Sequence, residues 1–286
     1  MKIILNLLVV LTLLAPVKGF AQNTKAMSDE SIEKYAKISK VLIENNEKTV
    51  PQLMIMAAEI MLGTDYVAGT LEVIPEQLKV SLTQTDCILF VESCLAMALN
   101  AKKGISDPDS LCATVQSLRY RNGIVDGYSS RIHYTSEWIK QGEARGIFTE
   151  ITDVLSADNL SGQRFSFMST HTDSYKQLKG NKEEIAKIAA MEANLNQYSD
   201  YFVIDKNEVR GIEHLLKDGD ILGFNSTVEG LDIAHVALVY HRKDGKVGFI
   251  HASQVDGKVV VDVKDIADYV MARKNNNGIR IIRVNR

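Results

Sequence analysis

Cys87, His235 and His251 are the residues of this chain whose types and settings suit a base-assisted nucleophile. Thr85-Asp86-Cys87 puts a thiol in the first turn of a predicted helix. Unpaired N–H groups and the macrodipole there favour a thiolate, so a lowered thiol pKa is expected. Gly230-Leu231-Asp232-Ile233-Ala234 reads as a polar loop that delivers His235 to the start of an apolar strand running to Tyr240. The next predicted strand, Lys246 to His251, ends on the second histidine. Asp244-Gly245 between them is a hairpin turn signal, so both histidines fall at the open end of the hairpin. One imidazole could take the thiol proton there while the other orients it. Taken singly, each residue has a plainer alternative: a small apolar residue at a helix start, or a structural histidine.

The elements that must position this trio divide along the chain. Ser28 or Asp29 caps a predicted helix with Ile32, Tyr35, Ile38 and Leu42 at helical spacing, and Pro51 starts a second helix ended by Gly63. A loop follows to Val80. Asp86 caps the helix that carries Cys87, with Phe90, Val91, Cys94, Leu95 and Ala98 on its apolar face. Residues 102–180 alternate short helical segments with polar loops, and Glu183 to Leu195 reads as a helix. Strands are then expected over Tyr201–Ile204, Asp220–Asn225, His235–Tyr240, Lys246–His251, Lys258–Val263 and Arg280–Val284. Helices first and antiparallel strands second is an α+β pattern, not alternating βαβ.

The N-terminus has the pattern of a cleaved secretory signal: Lys2, an apolar run from Ile3 to Val17, and small residues at Gly19 and Ala21. Residues 1–21 are therefore expected to be removed after Ala21, leaving a periplasmic protein with no transmembrane anchor. Losing Lys2 and Lys18 takes the formal charge from −3 to about −5. With no basic stripe, that balance argues against nucleic acid. Residues 22–286 are expected to form one catalytic domain with a helical N-terminal part and a middle insertion over about 102–200. Cys87, Cys94 and Cys112 are the only cysteines. Cys87 and Cys94 sit about 10.5 Å apart along one helix, beyond the roughly 7 Å reach of a disulfide, so at least one thiol stays free.

These motifs together resemble the NlpC-type, papain-like cell-wall cysteine peptidases. The resemblance is carried by Asp86-Cys87, Gly219-Asp220-Ile221-Leu222-Gly223-Phe224, Ala234-His235-Val236-Ala237-Leu238-Val239-Tyr240 and Phe249-Ile250-His251-Ala252-Ser253. It implies a papain-like α+β fold, with N-terminal helices and the nucleophile helix packed on a C-terminal antiparallel sheet. It also implies Cys87 as nucleophile, His235 as base and His251 as its orienter. Leu62-Gly63-Thr64-Asp65-Tyr66 matches a segment whose tyrosine lies beside the oxyanion. The chain departs from the common Asp-Cys-Ser-Gly pattern, with Ile88-Leu89-Phe90 after the cysteine, and has a longer gap from Tyr66 to Cys87.

Those departures, with Phe90-Val91-Glu92, the Tyr128 to Tyr134 segment and Phe167-Met168-Ser169, resemble the branch described as N-acetylmuramoyl-L-alanine amidase-like. That branch implies cleavage of the amide between N-acetylmuramic acid, or its 1,6-anhydro form, and L-Ala in small muropeptides. Asp86, Arg131, His133, Tyr134 and Ser169 are the expected substrate-binding residues, with Arg131 reading a carboxylate through its planar fork. Peptidoglycan fragments are the expected partners, the protein is expected to be a monomer, and no cofactor or metal is expected. The alternatives are an endopeptidase cutting the γ-D-glutamyl bond to the diamino acid, a zinc amidase using the same three residues as ligands, and a non-catalytic muropeptide-binding module.

Overall fold

The computed structural model describes residues 26–155 and 162–285, so the expected signal peptide lies outside the described residues. Two helices open the chain. In α1 (Asp29–Ile43), Ser28 accepts from the Ser31 N–H, and Asp29 and Glu30 sit at the positive end of the dipole. In α2 (Val50–Ile60), Thr49 and Gln52 form a capping box beside Pro51. Both pack on α3 (Cys87–Lys102), in which twelve of sixteen residues are buried. That helix is apolar nearly all round because α1, α2, α4 (Pro108–Arg119) and the sheet surround it. A single apolar face, as the sequence suggested, would have left one side of α3 in water.

The sheet has nine strands among the described residues. Its central ladder is β5 (Ile221–Ser226), β6 (Ile233–His241) and β7 (Val247–Ser253), with β9 (Asn276–Val284) beside β5 and β8 (Lys258–Val261) beside β7. These strands pair antiparallel. The expected sheet was purely C-terminal and antiparallel, and here the structure differs. One edge is made by β1 (Asp65–Tyr66) and β2 (Gln84–Thr85), which pair parallel to each other, and the other by β3 (Phe148–Glu150) on β9. A two-residue strand, β4 (Ile204–Asp205), also pairs with β9. Strands this short carry too few alternating residues to show a period of two.

Strand alternation splits the sheet's two faces between two cores. Val236, Leu238, Ile250 and Ala252 join the main core with α1 to α4. Ala237, Val239, Phe249 and Phe224 form a second core under α9 (Val209–Ile212) and α10 (Ile266–Met271). The stretch read as a middle insertion also divides. Its α4, α5 (Thr135–Ala144) and β3 contribute Leu111, Val115, Trp138 and Phe148 to the main core, with Trp138 stacked on Phe148. After α6 (Thr152–Leu155), α7 (Phe167–Thr170) and α8 (Lys182–Leu195) build a third core around Tyr134, Phe165 and Leu195. No helix among the described residues is long and apolar enough to cross a membrane.

Candidate active site

The start of α3 fixes Cys87. Asp86 is the N-cap, its side chain accepting from the Leu89 N–H at 3.0 Å, so the thiol is held in the first turn. The loop before β6 is equally anchored. The Gly230 carbonyl accepts from the N–H groups of Ser166 and Phe167, and a Cβ at Gly230 would lie 2.7 Å from the Phe167 nitrogen. Asp232 accepts from the Ser136 N–H at 2.7 Å. These ties deliver His235 to the same place on the sheet. The β6–β7 ladder pairs Leu238 with Ile250 through His241 with Val247, and beyond Leu238 the two strands pair no further. The Val236 N–H is thus free of this ladder and is directed at the Cys87 sulfur.

The parted strands and the start of α3 frame a cleft of about 630 Å³ lined by Tyr66, Cys87, His235, His251, Tyr269 and Arg273, among others. His235 Nε2 and His251 Nδ1 share a 2.7 Å hydrogen bond. Asp262 Oδ2 lies 3.3 Å from His251 Nε2, off hydrogen-bond alignment. His235 therefore has Nδ1 left for chemistry in the cleft. Its ring stacks on Phe224 at 5.8 Å and meets His251 edge-on, which restricts rotation about both side chains.

The electrostatics correct the expectation of a lowered thiol pKa. Burial, then the charge of Asp86, push the Cys87 thiol up to about 12, against the opposing pull of the Val236 and Ile88 N–H groups. The N–H donors of the helix start are outweighed by the acid beside the sulfur and the loss of water. Burial also lowers His235 to about 3, with the charges of His251 and Arg273 adding to the effect. For His251, burial outweighs the pull of Asp262 and brings it to about 4. At neutral pH the resting pair is a neutral thiol beside a neutral imidazole, and a thiolate forms only if the imidazole takes the proton. Burial raises the Tyr66 hydroxyl above its ordinary value, so it remains a donor at neutral pH.

Asp86 caps the nucleophile helix, and none of the five expected substrate-binding residues is among those lining this cleft. Arg131 is buried and ion-paired to Glu72 at 2.7 Å and to Glu76 at 3.4 Å, with its guanidinium over the Tyr128 ring. His133 shares a hydrogen bond with the Tyr128 carbonyl at 2.9 Å. Tyr134 donates to buried Glu192 at 2.7 Å, and the Ser169 N–H donates to the same oxygen at 3.1 Å. In this structure these four side chains are engaged with the protein's own groups. A motif position indicates residue type, and only packing shows which polar atoms are already engaged. His241, which shares strand parity with His235, pairs with Asp218 at the turn end of the hairpin, away from the cleft.

Sequence reasoning missed Tyr269, Arg273 and Asp262. The first two belong to α10 and the residue pair after it, a helix of six residues, too short for a convincing apolar period. The available signal was Asp265, which caps that helix by accepting from the Asp268 N–H. All three cysteines are free, with Cys94 and Cys112 buried. Among the described residues no three His, Cys, Asp or Glu side chains are grouped to hold a metal ion.

Against this geometry, the family model described as N-acetylmuramoyl-L-alanine amidase-like matches residues 56–279. Among solved structures, an N-acetylmuramoyl-L-alanine amidase from Bacteroides uniformis ATCC 8492 is similar at 31% identity and a TM-score of 0.77, over 83% of this chain and 99% of that one. A putative xylanase from Bacteroides fragilis is similar at 33% identity and a TM-score of 0.74, over 80% and 99% of the two chains. A protein from Legionella pneumophila shares the fold, at 19% identity and a TM-score of 0.66 over 91% of this chain and 97% of that one. No curated protein matches.

Proposed function

This chain belongs to the N-acetylmuramoyl-L-alanine amidase-like family, and on that premise we propose that it is a cysteine hydrolase of muropeptides with Cys87, His235 and His251 as its catalytic residues. The bond assigned to it is the amide between the lactyl carbonyl of N-acetylmuramic acid, or the 1,6-anhydro sugar, and L-Ala. The observation that carries this reading is the arrangement in one cleft of a thiol at a helix start and a hydrogen-bonded His235–His251 pair backed by Asp262.

The reaction follows from the protonation states. His235 takes the thiol proton as sulfur attacks the carbonyl, giving a tetrahedral oxyanion. Tyr66, protonated and lining the cleft, donates to that oxyanion. Collapse breaks the C–N bond, and the imidazolium returns the proton to the departing amine. Water, deprotonated by the same imidazole, then hydrolyses the thioester. His251 holds His235 in the tautomer that keeps Nδ1 available, the role an orienter plays in such units. The papain-like relationship and export through a cleaved signal at residues 1–21 are part of this proposal.

The test is to incubate the protein, without residues 1–21, with defined muropeptides and weigh the products. Release of muramic acid from an intact L-Ala-led peptide is expected. Cleavage after D-Glu of a sugar-free stem peptide, with the muramoyl compound untouched, would replace the amidase with the endopeptidase. Iodoacetamide should inactivate the enzyme and chelators should not; loss on chelation restored by zinc would reverse the mechanism.

A further inference from the structure

Arg273 differs from every other described arginine. The rest donate to a carboxylate or a carbonyl: Arg119 to Glu92, Arg131 to Glu72, Arg280 to Glu150 and Arg283 to Asp220, for example. Arg273, partly exposed in the cleft, has no ion-pair or hydrogen-bond partner for its guanidinium among the described residues. It is nevertheless held in place, because the guanidinium carbon lies 3.3 Å from the centre of the Tyr269 ring. A stacked, planar fork with unused donors is preorganised for a bidentate anion.

A second cavity of about 330 Å³ adjoins the catalytic cleft and shares Ser253, Val255, Tyr269 and Arg273 with it. Its wall carries Val255 and Val263, which are 87% and 86% exposed. Asp256 and Asp262 face the same cavity and would repel an anion seated deep within it. Lys264 also lines this cavity and Lys274 lines the catalytic cleft, and Arg273 is the cation common to both, standing at their junction.

We propose that this cavity is the subsite for the peptide arm of the substrate, and that Arg273 is a specificity residue pairing with a carboxylate of that arm. The inference rests on the muropeptide reading above and adds a direction to it. In a muramoyl peptide the sugar's own carboxyl is consumed in the scissile amide, so every free carboxylate lies on the peptide side. A cation beside the nucleophile fixes which end of the cleft takes the leaving peptide.

The experiment compares N-acetylmuramoyl-L-alanyl-D-glutamate with the same compound carrying both carboxylates as carboxamides, on the protein and on Arg273→Gln. Wild type should favour the acid by roughly tenfold in kcat/KM, mainly through KM, and Arg273→Gln should bring the ratio near one. Loss of the Arg273 charge also acts on His235, but equally for both compounds, so it cancels in the ratio. An unchanged ratio in Arg273→Gln overturns the proposal. Binding of the two compounds to Cys87→Ala, with and without Arg273→Gln, reads the same preference with no turnover. If wild type cleaves neither compound, the hydrolase reading fails on its own, and equal binding of acid and diamide would then sink the subsite as well.

Discussion

Two polar regions meet at the start of the nucleophile helix, and they differ in what their side chains have left to offer. Behind Asp86, Arg131 is ion-paired to Glu72 and Glu76, while Glu76 also accepts from Tyr120 at 2.7 Å and Gln177 at 3.2 Å. Buried Arg119 pairs with Glu92 in the same patch. In front of Asp86, Cys87, His235 Nδ1, Tyr66 and Arg273 face a cleft with few internal partners. Both regions look equally rich in chemistry when read as letters. Buried polar groups must be satisfied internally, so the saturated region holds the fold and the unsaturated one is available to a ligand.

The largest expected effects fall on the cleft side. Cys87→Ala should lower turnover by roughly 10⁴-fold or more with an unchanged melting temperature, whereas Cys94→Ala, on the same helix but enclosed in the core, should keep turnover while melting earlier. Turnover surviving in Cys87→Ala would erase the contrast between the regions. His235→Ala should approach the loss seen for Cys87. His251→Ala should lose less, since it sets the geometry of the base and does not transfer the proton to substrate. Steady-state kinetics on the pair rank them, and the reverse order would exchange their roles.

The next effect should appear on the saturated side and should be one of stability. Arg131→Met leaves Glu76 buried without its cation, and breaking such a pair costs about 3 kcal/mol. Urea unfolding should register that loss while kcat/KM of the folded fraction changes little. A large kinetic effect with unchanged stability would return Arg131 to the substrate side.

Acid sharpens the comparison more gently. His133, His235 and His251 all have folded values well below that of an exposed imidazole, because burial disfavours their charged forms. The unfolded chain therefore binds more protons once the pH drops below the ordinary histidine value. Stability is full above that value and falls with acid, by about 1.4 kcal/mol per pH unit for each proton taken up. Denaturant midpoints between neutral and mildly acid pH should show this slope. Over the same range the acid limb of kcat/KM should stay below the ordinary histidine pKa, since His235 remains neutral down to about pH 3. A limb at the ordinary value would mean a solvated base. Smallest of all, His241→Ala should leave kinetics unchanged, with only its exposed pair to Asp218 lost.

The comparison also explains what could be read in advance. Cys87, His235 and His251 were legible because each sits at a marked boundary: a capped helix start, a strand opening after a glycine-containing loop, a strand end across an Asp-Gly turn. The central strands and long helices were legible through their periodicity. The strands β1 to β3 and the helix α10 were not, and the expected strand Tyr201–Ile204 meets β4 only at Ile204, because these elements are held by tertiary pairing over two to six residues. The fates of Arg131, Tyr134 and Ser169 were hidden for another reason. Their partners Glu72, Glu76 and Glu192 lie 23 to 59 residues away, and local sequence carries no trace of such a pairing.

The outermost strands of the sheet carry a last consequence. At one margin β2 spans only Gln84–Thr85, and at the other β3 spans Phe148–Glu150. A second copy seeking to extend the ladder by strand addition finds a template of two or three residues, too little to anchor it. The strongly apolar inner strands, β5 and β6, are thus shielded from the edge-to-edge stacking that leads to fibrils.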